Sequence, residues 1–217
     1  MNEELRWLAV FCTAALLISY EVSLALARRR CSVFITRSAY AKLREDWLVA
    51  VSNQKGSEIL AVQTLRNAVM SATVTASTAA LGLMGGLTLS IPTLRTEFGG
   101  GAGPQLTPQL AMELTLLALL FFSLVLSVMA VRYFGHAGFI VGMPVGSDAR
   151  VQWMAMGTAY VRKAGDLYSV GLRQLVLVAP VTAFMLHPMA GPVASVLVCT
   201  VLFGFDRVHD EGPSQGS

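Results

Sequence analysis

A chain of 217 residues that is 54% hydrophobic and 13% charged, with a mean hydropathy of +0.61, is too apolar and too poor in charge for an ordinary soluble domain. The net charge of +3 is small, and the basic residues flank apolar runs without any groove-reading or base-stacking motif, so nucleic acid is not an expected partner. Cys12, Cys31 and Cys199 have no paired spacing, which excludes a disulfide or zinc framework from the reading.

The first apolar segment, spanning about 5–27, is long enough to cross a hydrocarbon core of about 30 Å. Glu3 and Glu4 stand where a signal peptide carries basic residues, and Arg28, Arg29 and Arg30 follow as a stop-transfer flank. The segment is therefore expected to be retained, with the amino terminus outside and the arginines in the cytoplasm. Glu21 lies inside it about two turns from the arginines. It reads first as an interfacial carboxylate paired with an arginine, and alternatively as a proton or cation site.

From Thr36 to Gln54, Tyr40, Leu43, Trp47, Leu48 and Val51 recur at helical spacing against a charged face. That predicts an amphipathic helix on the inner leaflet or on the bundle, ended by Gly56, with Ser57 as a candidate N-cap for the next helix.

The stretch from Ser57 to Leu94 reads as one long membrane helix, spanning about 60–91, with two unlike halves. No charge occurs between Arg66 and Arg95, yet Gln63, Asn67, Ser71 and Thr75 form an i, i+4 ladder, with Thr78 close to the same stripe. This polar edge is predicted to be shielded from acyl chains by neighbouring helices. Small residues, among them Ala68, Ala72, Ala76, Ala79, Gly82 and Gly86, would let backbones approach closely.

The helix is expected to end near Pro92, and the glycine-rich segment from Pro92 to Pro108 to form a flexible outer loop without the Lys and Ser/Thr of a phosphate loop. A third span, about 108–131, begins at Thr107 or Pro108. Glu113 near its outer end is expected to serve the helix dipole as a cap. Arg132 and His136 sit four apart at the inner end, where Gly135, Gly138, Gly142 and Pro144 are predicted to break the helix. One histidine without a second ligand is a poor metal or haem site.

Asp148 to Gly171 reads as a second interfacial helix. The apolar run from Leu172 to Phe205 is too long for one crossing and is divided by His187, Pro188, Gly191 and Pro192. A hairpin of two spans, about 170–187 and 192–207, is preferred to one kinked span, and residues 210–217 are expected to be a disordered tail. The sum is an all-α, polytopic helical membrane bundle in one domain over residues 1–209. It would have four to five transmembrane helices and two interfacial amphipathic helices on the cytoplasmic side.

AVQTLRNAVMSATVTASTAALGLMGG (61–86) and GDLYSVGLRQLVLVAPVTAFMLHP (165–188) resemble the two signature regions of an uncharacterised membrane-protein family catalogued as domain of unknown function 599. The resemblance runs in order over nearly the whole chain, including a surface helix with Arg44 and Trp47. It implies a small helical membrane protein of bacteria and plants, here placed in a bacterial inner membrane, and brings no established reaction, cofactor or catalytic residue. Family members often end in a basic tail, whereas this chain ends in Asp206, Arg207, His209, Asp210 and Glu211, which leaves the side of the carboxyl end open.

Glu21, Gln63, Arg66, Asn67, Ser71, Arg132, His136 and Arg173 are predicted to converge near the inner leaflet, with Thr75 and Thr78 extending the cluster into the span. The first reading is an interhelical network in a structural or accessory subunit, or scaffold, of a larger membrane assembly, surrounded by lipid and associated as a homo-oligomer or with other subunits. The alternative is an oligomeric channel or transporter for a small ion or solute lined by the same groups, although no inverted repeat is visible. With no Gly-x-Ser-x-Gly elbow, His-Glu-x-x-His pair or intramembrane Asp pair, the sequence reads as non-enzymatic and without a cofactor.

Overall fold

The computed structural model describes residues 3–30, 36–99 and 106–206; Cys31 and the tail at 210–217 lie outside these. The described residues form α1 (Glu3–Arg30), α2 (Thr36–Asn53), α3 (Glu58–Gly99), α4 (Pro108–Val141), α5 (Asp148–Val176), α6 (Val178–Leu186) and α7 (Ala190–Asp206), with no strand among them. Four stretches are long and apolar enough to cross a membrane: Glu3–Leu24, Glu58–Glu97, Pro108–Val141 and Asp148–Leu186. Large apolar side chains such as Phe11, Ile18, Val74, Phe121, Phe122 and Leu197 point outward, as a lipid solvent permits and water does not.

α4 is the central helix, flanked by α3 and α5. Along α3 the buried positions are Ala61, Leu65, Ala72, Thr75, Ala76 and Ala79, and the same seam continues to Gly86 and Ser90. Their alternating three- and four-residue spacing keeps one narrow stripe against the partner helix. Because the stripe is built of small side chains, the two backbones come close: a β-carbon on Gly82 would lie 3.0 Å from Leu120, and one on Gly86 would lie 3.3 Å from Leu117. α3 and α4 therefore run antiparallel, residues 82 and 86 of one facing residues 120 and 117 of the other.

α3 continues past Pro92 to Gly99, which corrects the expected end at Pro92. Proline removes one intrahelical donor, but the turn beyond it is tied to α4 by Thr93 Oγ1, which donates to Glu113, while Thr96 Oγ1 donates back to the Pro92 and Thr93 carbonyls. α4 likewise runs through Gly135 and Gly138 to Val141. Each glycine costs about 1 kcal/mol of helix propensity, less than is gained by burying Phe134, Ala137, Ile140 and Val141 on the same helix. It ends at Gly142, whose N–H donates to the Gly138 carbonyl.

No boundary separates the second amphipathic segment from the span after it. α5 and α6 are interrupted only at Leu177, whose N–H still donates to the Arg173 carbonyl, so residues 148–186 form nearly one rod. The expected hairpin follows: His187, Pro188 and Met189 turn the chain, and α7 returns along α6. Gly191 makes that return possible, since a β-carbon there would lie 2.8 Å from both Phe184 and Thr13.

Two apolar clusters mark the ends of the bundle. One holds Leu48 and Val51 of α2 with Leu65, Phe134, Val161 and Ala164; the other holds Val10 and Leu17 of α1 with Met112, Leu116, Val181 and Phe184. At its 42 residues α3 is about 63 Å long, twice the thickness of a hydrocarbon core. α2 packs on α5.

Candidate functional site

The ten polar positions do not converge; they fall in three places. On α3, Gln63, Arg66, Asn67, Ser71 and Thr78 are exposed and only Thr75 is buried. Except for Thr75, which joins the seam, the ladder lies away from the small-residue stripe, because a helix that packs through Ala61, Leu65, Ala72 and Ala79 turns residues 63, 67 and 70 away from its partner. The hydroxyls on this helix are satisfied locally: Ser71 donates to Asn67, Thr75 to Ser71 and Thr78 to Val74, in each case to the backbone carbonyl. The Gln63 and Asn67 carboxamides have no such local acceptor.

Glu21 and Arg173 belong to the junction of α1 and α5, each contacting a different residue of the other helix. Gln174 Nε2 donates to Glu21 Oε1 at 3.1 Å, and the Arg173 guanidinium lies 5.7 Å from the Tyr20 ring centre. Glu21 is thus held by a neutral carboxamide from the neighbouring helix.

His136 and Arg132 lie on the exposed side of α4. The imidazole packs on Tyr160 at 5.8 Å, Tyr160 in turn lies 5.5 Å from Tyr133, and Lys163 Nζ sits 4.7 Å above the Tyr133 ring. This is an aromatic and cationic surface joining α4 to α5. Among the described residues, no three His, Cys, Asp or Glu side chains group as metal ligands would.

Two charged groups have places that the sequence reading did not give them. Glu113, expected at a helix cap, is instead 2% exposed, and Thr107 caps α4 by accepting from the Leu110 N–H. Glu113 Oε1 accepts from Thr93 Oγ1 at 3.3 Å and Gln109 Nε2 at 3.1 Å, while Oε2 has no partner. The signal was hidden because Thr93 belongs to a stretch read as loop. At the other end of the bundle Arg150, also 2% exposed, donates from Nη1 to the Met143 carbonyl at 2.6 Å. Ser57, expected to cap α3 with its side chain, uses its hydroxyl to donate to the Val51 and Gln54 carbonyls at the end of α2.

Helices of this length and apolarity, packed through a small-residue seam with polar groups at their ends, define a helical membrane protein. The chain belongs to the family described as protein of unknown function, DUF599, whose model matches residues 8–211. The resemblance carried by residues 61–86 and 165–188 thus extends over nearly the full length. No curated protein and no solved structure matches the chain.

Proposed function

We propose that this protein is a non-catalytic subunit or scaffold of a membrane assembly, joined to a second copy of itself through the outward face of α3. The observation that carries this reading is the exposed pair Gln63 and Asn67, in line with exposed Ile59, Met70 and Val74. A carboxamide at the edge of the hydrocarbon keeps a hydrogen-bonding demand that apolar chains cannot meet, so a membrane helix that displays two of them there is expected to be covered by protein. Each carboxamide carries both donors and an acceptor, which makes the stripe complementary to itself. Arg66, beside it, reaches the headgroup layer with its charged end.

The orientation that accompanies this proposal puts the α2 end in the cytoplasm and the amino terminus outside, in a cell membrane. Lys42, Arg44, Lys55, Arg66, Arg162 and Lys163 lie toward the α2 end, and Arg6 and Arg95 toward the other, which supports it by the positive-inside rule. A solute path is less favoured, because the Ser71, Thr75 and Thr78 hydroxyls are engaged by their own helix and Glu21 by Gln174.

Native mass spectrometry in mild detergent tests the reading. Multiples of the 23.2 kDa chain are expected, reduced to the single chain by Gln63→Ala with Asn67→Ala. A wild-type protein that is monomeric in every mild detergent, and in nanodiscs, would overturn it.

A further inference from the structure

Between Glu113 and Arg132 α4 carries no charge, a stretch of about 27 Å that matches the thickness of a hydrocarbon core. Arg132 is the first charged group beyond it and so marks the depth of a headgroup layer. From there Arg132, Tyr133 and His136 share one side of α4 at three- and four-residue spacing. α5 passes antiparallel, with Gly171 against Ser123 and Ser127 and Gly157 against Ile140, so Tyr160 and Lys163 fall at the same depth.

Four of these side chains touch in a row. The Tyr160 ring lies 5.8 Å from the His136 imidazole and 5.5 Å from the Tyr133 ring, and Lys163 Nζ sits 4.7 Å above Tyr133. With Arg132 they form a set of donors: a guanidinium, an ammonium, two phenols and an imidazole N–H. The set holds no carboxylate, and among the described residues no acidic side chain pairs with Arg132 or Lys163. Glu45 and Asp166 line an open groove that Lys163 also borders, but Glu45 is held by Arg162. An ammonium over a ring keeps its charge and its remaining N–H groups for a further partner. Tyrosine also suits this depth, since its ring is apolar and its hydroxyl wet.

We propose that this surface binds the phosphate of an anionic phospholipid, with Arg132 and Lys163 supplying the charge and Tyr133, Tyr160 and His136 the further donors. A track on the same side of α4 points to a lipid and not to a soluble phosphate. Phe121, Val125 and Val128 are exposed and run from Arg132 into the span at three- and four-residue spacing, so an acyl chain anchored at Arg132 lies along them. Because the set has no carboxylate, the quaternary ammonium of a choline headgroup meets no opposite charge there, and a headgroup with net negative charge is preferred. The surface belongs to α4 and α5, and depends neither on self-association through α3 nor on which side of the membrane this end faces.

The test is native mass spectrometry of the purified full chain in mild detergent, titrated with phosphatidylglycerol or phosphatidylcholine of the same acyl chains, with bound lipids counted per chain. Phosphatidylglycerol should bind about tenfold more tightly than phosphatidylcholine. Arg132→Gln and Lys163→Gln should each weaken it about fivefold, the loss expected for one basic side chain at an anionic surface. Arg95→Gln, beyond the far end of the charge-free stretch, should leave it unchanged. Inorganic phosphate at millimolar concentration should not displace the lipid. The proposal is overturned if the two lipids bind equally, if Arg132→Gln and Lys163→Gln both bind phosphatidylglycerol as the wild type does, if Arg95→Gln costs as much as they do, or if inorganic phosphate displaces the lipid. Should Lys163→Gln fail to fold, Arg132→Gln and Tyr160→Phe decide: unchanged affinity in both overturns it, and a loss confined to phosphatidylglycerol in either supports it.

Discussion

Arg44 of α2 occupies the space that a β-carbon on residue 165 of α5 would need: such an atom on Gly165 would collide with the guanidinium. The glycine leaves room for that guanidinium beside the place where Leu48 and Val51 of α2 join Val161 and Ala164 of α5 in one apolar cluster. The nearby Arg162–Glu45 ion pair, 3.4 Å long with Arg162 largely exposed, adds about 0–1 kcal/mol. Because the guanidinium is the far end of a flexible side chain and can swing aside, Gly165→Ala should lower stability by only about 1 kcal/mol in thermal melts in detergent. In an Arg44→Ala background the same substitution should cost almost nothing. An equal loss in both backgrounds would place the strain in the α5 backbone and not in the contact with Arg44.

A second close approach fixes α5 on α4. Ser123 Oγ donates to the Gly171 carbonyl at 2.8 Å, and a β-carbon on Gly171 would lie 2.9 Å from Ser127 Oγ and 3.3 Å from the Ser123 carbonyl. Removing the hydrogen bond with Ser123→Ala should cost about 0.6 kcal/mol, the average for such bonds between membrane helices. Gly171→Ala pushes two backbones apart and should cost more, about 1–3 kcal/mol. Melting temperatures of the two variants in one detergent give the order directly, and the reverse order would mean that the helices tolerate separation.

Arg150 separates burial from charge. Its Nη1 donates to the Met143 carbonyl, but Nε and Nη2 have no partner, so the guanidinium is desolvated with only part of its hydrogen-bonding capacity used. An apolar side chain of similar length in such a place is often neutral or stabilising, whereas truncation leaves a cavity. Arg150→Met should therefore stay within about 1 kcal/mol of the wild type, and Arg150→Ala should lose about 2–5 kcal/mol. If denaturation midpoints show the two equally damaged, the charge itself holds the loop between α4 and α5.

Much of the fold was legible from apolar length. The helix-breaking cluster at His187 and Pro188 turns the chain into α7, and Thr107 with Pro108 starts α4. Breakers embedded in longer apolar runs misled: Pro92, Gly135 and Gly138 are all carried inside helices, because flanking contacts outweigh one lost hydrogen bond or one glycine. The polar edge of α3 misled in another way. Polarity on a membrane helix says that a face is disfavoured in lipid, but not whether its cover comes from the same chain. The spacing of Ala61, Leu65, Ala72 and Ala79 carried the missing information, since close packing follows small residues and sets which side of α3 meets α4. Glu113 became readable only when Thr93, nominally beyond the helix, proved to be its hydrogen-bond donor.

The outward face of α3 makes a geometric prediction that chain counting cannot make. Met70 and Val74 lie on the stripe with Gln63 and Asn67, Ala72 lies in the buried seam, and Leu87 is exposed on the flank. With Cys12, Cys31 and Cys199 replaced by serine, single cysteines at Met70 and Val74 should form interchain disulfides in native membranes under mild oxidant, because a parallel pair related by a two-fold axis brings equivalent positions on the stripe together. Ala72→Cys should stay reduced, being enclosed by α4. Leu87→Cys is the sharper control: it is open to lipid, so if it cross-links as fast as Val74→Cys, the disulfides report random collision in the bilayer. If neither Met70→Cys nor Val74→Cys cross-links while the protein remains folded, the carboxamides of Gln63 and Asn67 are covered by something other than a second α3, and self-association through this face is wrong.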